Sequence, residues 1–157
     1  MQEELDRHNK KQSKIKLNRL IKLFHAICSG LSYIHESNLA HRDLKPQNVL
    51  LSGEDGVGAV LTDFGSMTER IIQVNNSRKA QEIQDFSAEN CSMFYKAPEL
   101  FTVSLGVIDE KADIWSLGCV LYALMFNKGP FDYVVEKGIV LTLNKYFKYT
   151  FYILASF

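Results

Sequence analysis

One run of residues could do chemistry: His41-Arg42-Asp43-Leu44-Lys45-Pro46-Gln47-Asn48, followed after a short gap by Asp63-Phe64-Gly65. Asp43, Lys45, Asn48 and Asp63 supply a carboxylate, an ammonium, an amide and a second carboxylate. That set suits phosphoryl transfer, which asks a protein for positioning and charge stabilisation more than for covalent chemistry. One aspartate has to sit beside the attacking hydroxyl. A cation near the transferred group stabilises negative charge. Two oxygen-bearing side chains can hold magnesium, a hard cation that needs only a few protein ligands.

These side chains work together only if the chain brings them to one place. Pro46 fixes φ and removes a donor, so the segment around it reads as a loop that can turn Asp43 and Asn48 towards one point. Val49-Leu50-Leu51 reads as a short buried strand. Ser52-Gly53-Glu54-Asp55-Gly56 is turn chemistry, and Ala59-Val60-Leu61-Thr62 reads as the return strand. A hairpin of this length carries Asp63 back beside Asn48. Upstream, Leu17, Leu20, Ile21, Phe24, Ile27, Cys28, Leu31 and Ile34 recur at three- and four-residue steps, the stripe of an amphipathic helix about five turns long. Downstream, Asp113 to Met125 is apolar almost all round and predicts a buried helix. A buried Asp113 then requires hydrogen-bond partners. His41 reads as a buried, hydrogen-bonded ring and not as a catalyst. His25 and His35 have no metal partner at useful spacing.

The chain has 157 residues, enough for one domain with a sizeable core. It is 46% hydrophobic and 23% charged, with 18 basic and 18 acidic residues. A formal net charge of zero gives no argument for nucleic acid or a membrane surface. Cys28, Cys91 and Cys119 read as reduced thiols in an intracellular protein, since no secretory signal opens the sequence. Residues 1–14 are polar, with Lys10, Lys11, Lys14 and Lys16 clustered near their end, and read as a solvated face or frayed terminus.

The motifs now carry a resemblance. His41 to Asn48 resembles the catalytic loop of eukaryotic protein kinases, Asp63-Phe64-Gly65 their magnesium motif, and Ala97-Pro98-Glu99 the end of their activation segment. Asp113-Ile114-Trp115-Ser116-Leu117-Gly118 resembles the start of the long buried helix of the kinase C-lobe. The resemblance covers about residues 15–138. It implies Asp43 as catalytic base, Lys45 as the residue that steadies the transferred phosphate in a serine/threonine enzyme, and Asn48 and Asp63 as the cofactor-binding magnesium ligands. It implies ATP and Mg2+ as cofactors and a Ser/Thr-bearing protein as substrate. Asp113 would accept hydrogen bonds from the catalytic-loop backbone, and Arg42 would meet groups of the activation segment. Phe64 would be a packing residue that reports active or inactive states.

Between Asp63 and Glu99, the stretch from Ser77 to Asn90 is rich in helix formers, with Ser77 as the expected N-cap. An extra helix there resembles the Numb-associated kinase family, and most of all its lipid-anchored, Golgi-associated member. Asp63 to Met67, Gln84-Asp85-Phe86, Tyr95 to Phe101, Val107 to Glu110 and Trp115 to Ala123 carry that likeness. Ser92 stands where the family places a threonine that bonds the catalytic loop. Ser66, Thr68, Ser77, Ser87 and Ser92 are the segment's candidate phosphorylation sites.

The chain also departs from the family. It contains no G-x-G-x-x-G loop and no V-A-I-K lysine on a strand. Residues 139–157 hold Tyr146, Phe147, Tyr149, Phe151, Tyr152 and Phe157 but no acidic residue, Gly or Pro, and read as an atypical aromatic tail that is not native kinase sequence. Lys145 and Lys148 interrupt that stretch, which argues against a transmembrane helix. Gln2 after Met1 offers no myristoylation signal. The glutamate of Ala97-Pro98-Glu99 is expected to lack its family partner, a late arginine, and breaking such a buried pair costs about 3–5 kcal/mol.

The expected organisation is therefore a polar basic segment at 1–14, a partial kinase domain at 15–138 and the aromatic tail at 139–157. The expected fold is mainly α with a short β-hairpin, a partial protein-kinase C-lobe of the α+β class. The expected function is serine/threonine kinase chemistry in a poorly active fragment, with a non-catalytic binding or regulatory module as the alternative. The expected setting is cytoplasmic, with Golgi membrane association for a full-length parent.

Overall fold

The computed structural model describes residues 1–11, 13–53 and 56–132. The aromatic tail at 139–157 lies outside the described residues. Four α-helices dominate: α1 (Gln2–Lys10), α2 (Leu17–Glu36), α3 (Ser77–Asn90) and α4 (Lys111–Phe126). Six short strands complete the order: β1 (Leu39–Ala40), β2 (Val49–Ser52), β3 (Gly58–Leu61), β4 (Thr68–Glu69), β5 (Ile72–Val74) and β6 (Gly106–Ile108). They form three antiparallel pairs, β1 with β4, β2 with β3 and β5 with β6. The mainly α fold with a short hairpin is thus present, together with two further strand pairs.

The hairpin β2–β3 has Val49 opposite Leu61 and Ser52 opposite Gly58. Thr62 N–H then donates to Asn48 O at 2.9 Å, extending the ladder by one rung to the residue before Asp63. The hairpin lies along α2, where Gly30 faces Leu61. A Cβ on Gly30 would come 3.3 Å from Leu61 Cγ, tighter than most contacts, so this glycine lets strand and helix approach.

Helix α2 buries Leu20, Leu23, Ile27, Leu31 and Ile34. The stripe is narrower than the periodicity suggested: Leu17 and Ile21 are exposed, and Leu23 takes their place in the core. Together with Val49, Leu61, Val120, Leu124 and Phe131 these residues form the larger core cluster. A second cluster joins Val74, Ile83, Ala97, Leu100, Ile108 and Ala112, uniting β5, α3, β6 and the start of α4. Trp115 packs against both.

Two expectations need correction. Helix α4 buries Ala112, Asp113, Ser116, Cys119, Val120, Ala123 and Leu124, but Ile114, Met125 and Phe126 are exposed, so it is buried on one face and not all round. The N-terminal segment is not a frayed end. Helix α1 sends Leu5 into the core at 1% exposure and fixes Glu4 against Arg19, although its other charges face solvent. Sequence polarity described the outer face of α1 and hid Leu5 and Glu4, the buried residues that dock it.

Ile27, at 0% exposure, sits at the centre of α2's buried stripe. Ile27→Ala is expected to lower stability by about 2–5 kcal/mol in equilibrium urea unfolding. Ile21→Ala on the 56% exposed face is expected to change it by less than about 0.5 kcal/mol.

Candidate functional site

The loop after β1 is set by a carboxylate that reaches it from α4. Asp113, at 0% exposure, accepts from His41 N–H through Oδ2 at 2.8 Å and from Arg42 N–H through Oδ1 at 2.8 Å. His35 Nε2 donates to Oδ2 at 2.8 Å. Burial pushes the Asp113 carboxyl upwards. The His35 bond, the two backbone bonds and the nearby Arg42 charge outweigh it and hold the group below its ordinary value of 3.8. The role of His35 as a partner of Asp113 carries no local signature in the sequence.

Next to this anchor the backbone is strained. Four described non-glycine residues have positive φ: Asn38, Arg42, Asp63 and Asn127. Asparagine and aspartate tolerate this region; arginine adopts it at a cost of about 1–3 kcal/mol. At Arg42 the surroundings hold the strain in place. Its Nε donates to Thr68 Oγ1 at 2.9 Å, Nη1 to Asp109 O, and Nη2 to Glu69 O and Arg70 O at 3.0 and 3.1 Å. The arginine therefore meets activation-segment groups at Thr68, Glu69 and Arg70 and the Asp109 carbonyl beyond that segment, all of them neutral acceptors, and fastens β4 beside the loop. Burial lowers its pKa.

His41 is fully buried. Nε2 donates to Thr62 O at 3.1 Å while Nδ1 accepts from Asp43 N–H at 3.4 Å. Those two contacts together require the Nε2–H tautomer. The ring joins the loop to the end of β3, a structural role.

Asp43 and Asn48 are both 5% exposed. The 3-10 turn Pro46–Asn48 bends the chain so that Asn48 Nδ2 donates to Asp43 O at 2.9 Å and to Asp43 Oδ2 at 3.2 Å. Lys45 Nζ lies 2.6 Å from the same Oδ2 and 2.6 Å from Ser92 Oγ. Ser92 N–H donates to Asp43 Oδ1 at 2.7 Å. Both carboxylate oxygens of Asp43 are thus fixed, one by the loop and one by the far end of the activation segment. Asp43, Lys45, Asp63, Ser66 and Ser92 line one cleft. Asp63 is exposed there, on the turn Phe64–Ser66 that it precedes.

Oxygen donors in this cleft fit a hard cation. Asn48 spends its amide hydrogens on Asp43, and the hairpin register sets it beside Thr62, the residue before Asp63; Asp63 lines the cleft and Asn48 does not. Among the described residues no group of three or more His, Cys, Asp or Glu comes together.

Other residues differ from expectation. The N-cap of α3 is Asn76, whose Oδ1 accepts from Lys79 N–H at 2.8 Å, and not Ser77. Phe64 is 53% exposed and tilted against His41 at 5.7 Å, so it is only partly packed. Glu99 is exposed, which removes the burial that would make a missing partner expensive. Of the five candidate phosphorylation sites only Ser77 is exposed; Ser66 and Ser87 are buried. Cys91, absent from the sequence-based set of site residues, lines the cleft. Burial, with Asp43 nearby, pushes its thiol up to about 11, which makes it inert at neutral pH. Burial likewise raises Cys119 to about 12.

Residues 1–152 match the family described as "Protein kinase domain", a wider stretch than the motif-based limits of 15–138. Serine/threonine-protein kinase 16 of Rattus norvegicus is 53% identical over 122 residues, covering 77% of this chain and 39% of that protein. The Homo sapiens protein of the same name is 49% identical over 136 residues, covering 86% and 44%. Serine/threonine-protein kinase ppk13 of Schizosaccharomyces pombe is 50% identical over 104 residues, covering 66% and 30%. The chain therefore spans less than half the length of these curated relatives.

Asp113→Ala strips two buried backbone N–H groups of their acceptor, at about 1–3 kcal/mol each. Urea unfolding at pH 7 is expected to show a loss of about 3 kcal/mol. The sign of the pH effect follows from the lowered native value. The contribution is complete above 3.8 and is lost as pH falls below it through the native pKa. The wild-type chain should therefore lose stability more steeply than the variant below pH ~4.

Proposed function

The chain belongs to the protein kinase family, and on that premise we propose that it forms the catalytic-loop part of a serine/threonine kinase that moves the γ-phosphate of ATP to a protein hydroxyl. The observation that supports this most is the fixing of both Asp43 carboxylate oxygens in a cleft shared with Lys45 and Asp63. An aspartate clamped in this way can orient a substrate hydroxyl and take its proton without reorganising.

In this reading, Asp43 receives the hydroxyl proton. Lys45, only partly buried, turns from Asp43 towards the transferred phosphate and offsets its charge. Ser92 keeps the peptide-binding end of the activation segment against Asp43. Asn48 and Asp63 would hold magnesium, which when bound neutralises phosphate charge. The substrate is a protein with an accessible serine or threonine. Golgi-membrane association is proposed, by resemblance, for the whole kinase; among the described residues no helix is long and apolar enough to cross a membrane.

Turnover also needs a glycine-rich loop over the phosphates and a strand lysine, and the 157 residues contain neither motif. The activity is therefore proposed for a domain that includes them. The 157-residue chain by itself is expected to transfer little or no label from γ-labelled ATP to a generic protein substrate. Joined behind a kinase ATP-binding lobe, the same sequence is expected to transfer label. Asp43→Asn in that fusion should then lower kcat about 10²–10⁴-fold with little change in KM for ATP. An unchanged kcat would remove Asp43 from the role of base.

A further inference from the structure

Helix α3 ends inside the catalytic cleft. The last four carbonyls of a helix lack intrahelical donors, and the dipole leaves that end partly negative. Two of them here are taken by side chains from separate segments. Ser66 Oγ donates to Asn90 O at 2.6 Å, and Lys96 Nζ donates to Ser87 O at 3.1 Å. Lys96 also rests over the Phe101 ring at 4.3 Å, and Gln84 Oε1 accepts from Val103 N–H at 3.3 Å. The inserted helix is thus tied to the segments on both sides of it.

The tie through Ser66 has the most direct bearing on chemistry. Ser66 closes the turn that Asp63 begins, and it is 5% exposed. Asp63 holds φ at 62°, a left-handed conformation that aspartate takes more readily than most residues. Two residues beyond Asn90, Ser92 N–H binds Asp43 Oδ1. The short stretch from Asn90 to Ser92 therefore touches the Asp63 turn on one side and the Asp43 carboxylate on the other.

We infer that Ser66 is a positioning residue, whose hydrogen bond to the end of α3 couples the turn carrying Asp63 to the loop carrying Asp43. The purpose of this coupling rests on the kinase reading; its geometry does not. Thr68, the next hydroxyl, is engaged elsewhere: it accepts from Arg42 and donates to Glu69 O at 3.2 Å. Ser66→Ala removes the donor and leaves the Asn90 carbonyl without it. The helix end and the turn are then free to move separately, and Ser92 loosens from Asp43.

Hydrogen exchange on the 157-residue chain, without nucleotide or metal, tests this. Two amides report the coupled segments: Met67, bonded to Phe64 O, and Ser92, bonded to Asp43. Two report the rest of the loop: His41 and Arg42, both bonded to Asp113. In Ser66→Ala, Met67 and Ser92 are expected to exchange about two- to tenfold faster, the range set by one neutral hydrogen bond. His41 and Arg42 should keep their wild-type rates. Ser66→Thr, which retains the hydroxyl, should restore Met67 and Ser92. An unchanged Ser92 amide in the alanine variant would overturn the coupling. So would a uniform rise at all four amides, or a threonine variant that behaves like alanine. Failure here leaves the kinase reading intact, because that reading is decided by phosphate transfer in the Asp43→Asn comparison.

Discussion

A buried carboxylate on α4 holds the catalytic loop in shape. Asp113 reaches across from a helix 72 and 71 residues later to bind two successive backbone N–H groups, at His41 and Arg42. Taking a carboxylate out of water is expensive unless hydrogen bonds replace the lost hydration. Here three donors do so, and together with the nearby Arg42 charge they outweigh burial, since the group stays more acidic than usual. The left-handed backbone at Arg42 follows from this grip. Because that residue turns the wrong way for an ordinary loop, the guanidinium is delivered to the carbonyls of Asp109, Glu69 and Arg70, and Asp43 is delivered to the cleft.

The remainder of the site is built from the same kind of contact, a polar side chain reaching a backbone group far away in sequence. His41 joins the loop to the hairpin through Thr62. Ser92 joins the end of the activation segment to Asp43. The two core clusters serve these contacts by holding α2, α3 and α4 in place, with Trp115 packed where the clusters meet. Removing a core side chain therefore acts on chemistry indirectly, by loosening the helices from which the polar contacts start.

Much of this was legible in the sequence because it depends on local chemistry. The hairpin could be read from turn residues between two short apolar runs, and α2 from its apolar spacing. The need of a buried Asp113 for partners followed from electrostatics alone. Ser92's contact with the loop came from resemblance. Other features have no local signature. Leu5 is one apolar residue in a polar helix, and only the finished core shows that it docks. The pairings β1–β4 and β5–β6 join strands of two or three residues, too short for alternation to mark them. Asn76 displaced Ser77 as the cap of α3 because both side chains can accept from the first turn and the chain begins its helix one residue later than the cap. Exposure of Phe64, Ile114 and Phe126 depends on what packs against them, which composition does not specify.

We propose that Asn48 and Asp63, distant in sequence, form one oxygen-donor site for a divalent cation beside Asp43. Paramagnetic Mn2+, which shares magnesium's preference for oxygen ligands, tests it directly in the amide spectrum of the 157-residue chain. Low Mn2+ is expected to broaden the signals of Asn48, Asp63 and Gly65 first, and Asp63→Asn to abolish the effect. Broadening centred instead on exposed acids elsewhere, such as Asp6 or Glu82, with Asn48 left sharp, would contradict it.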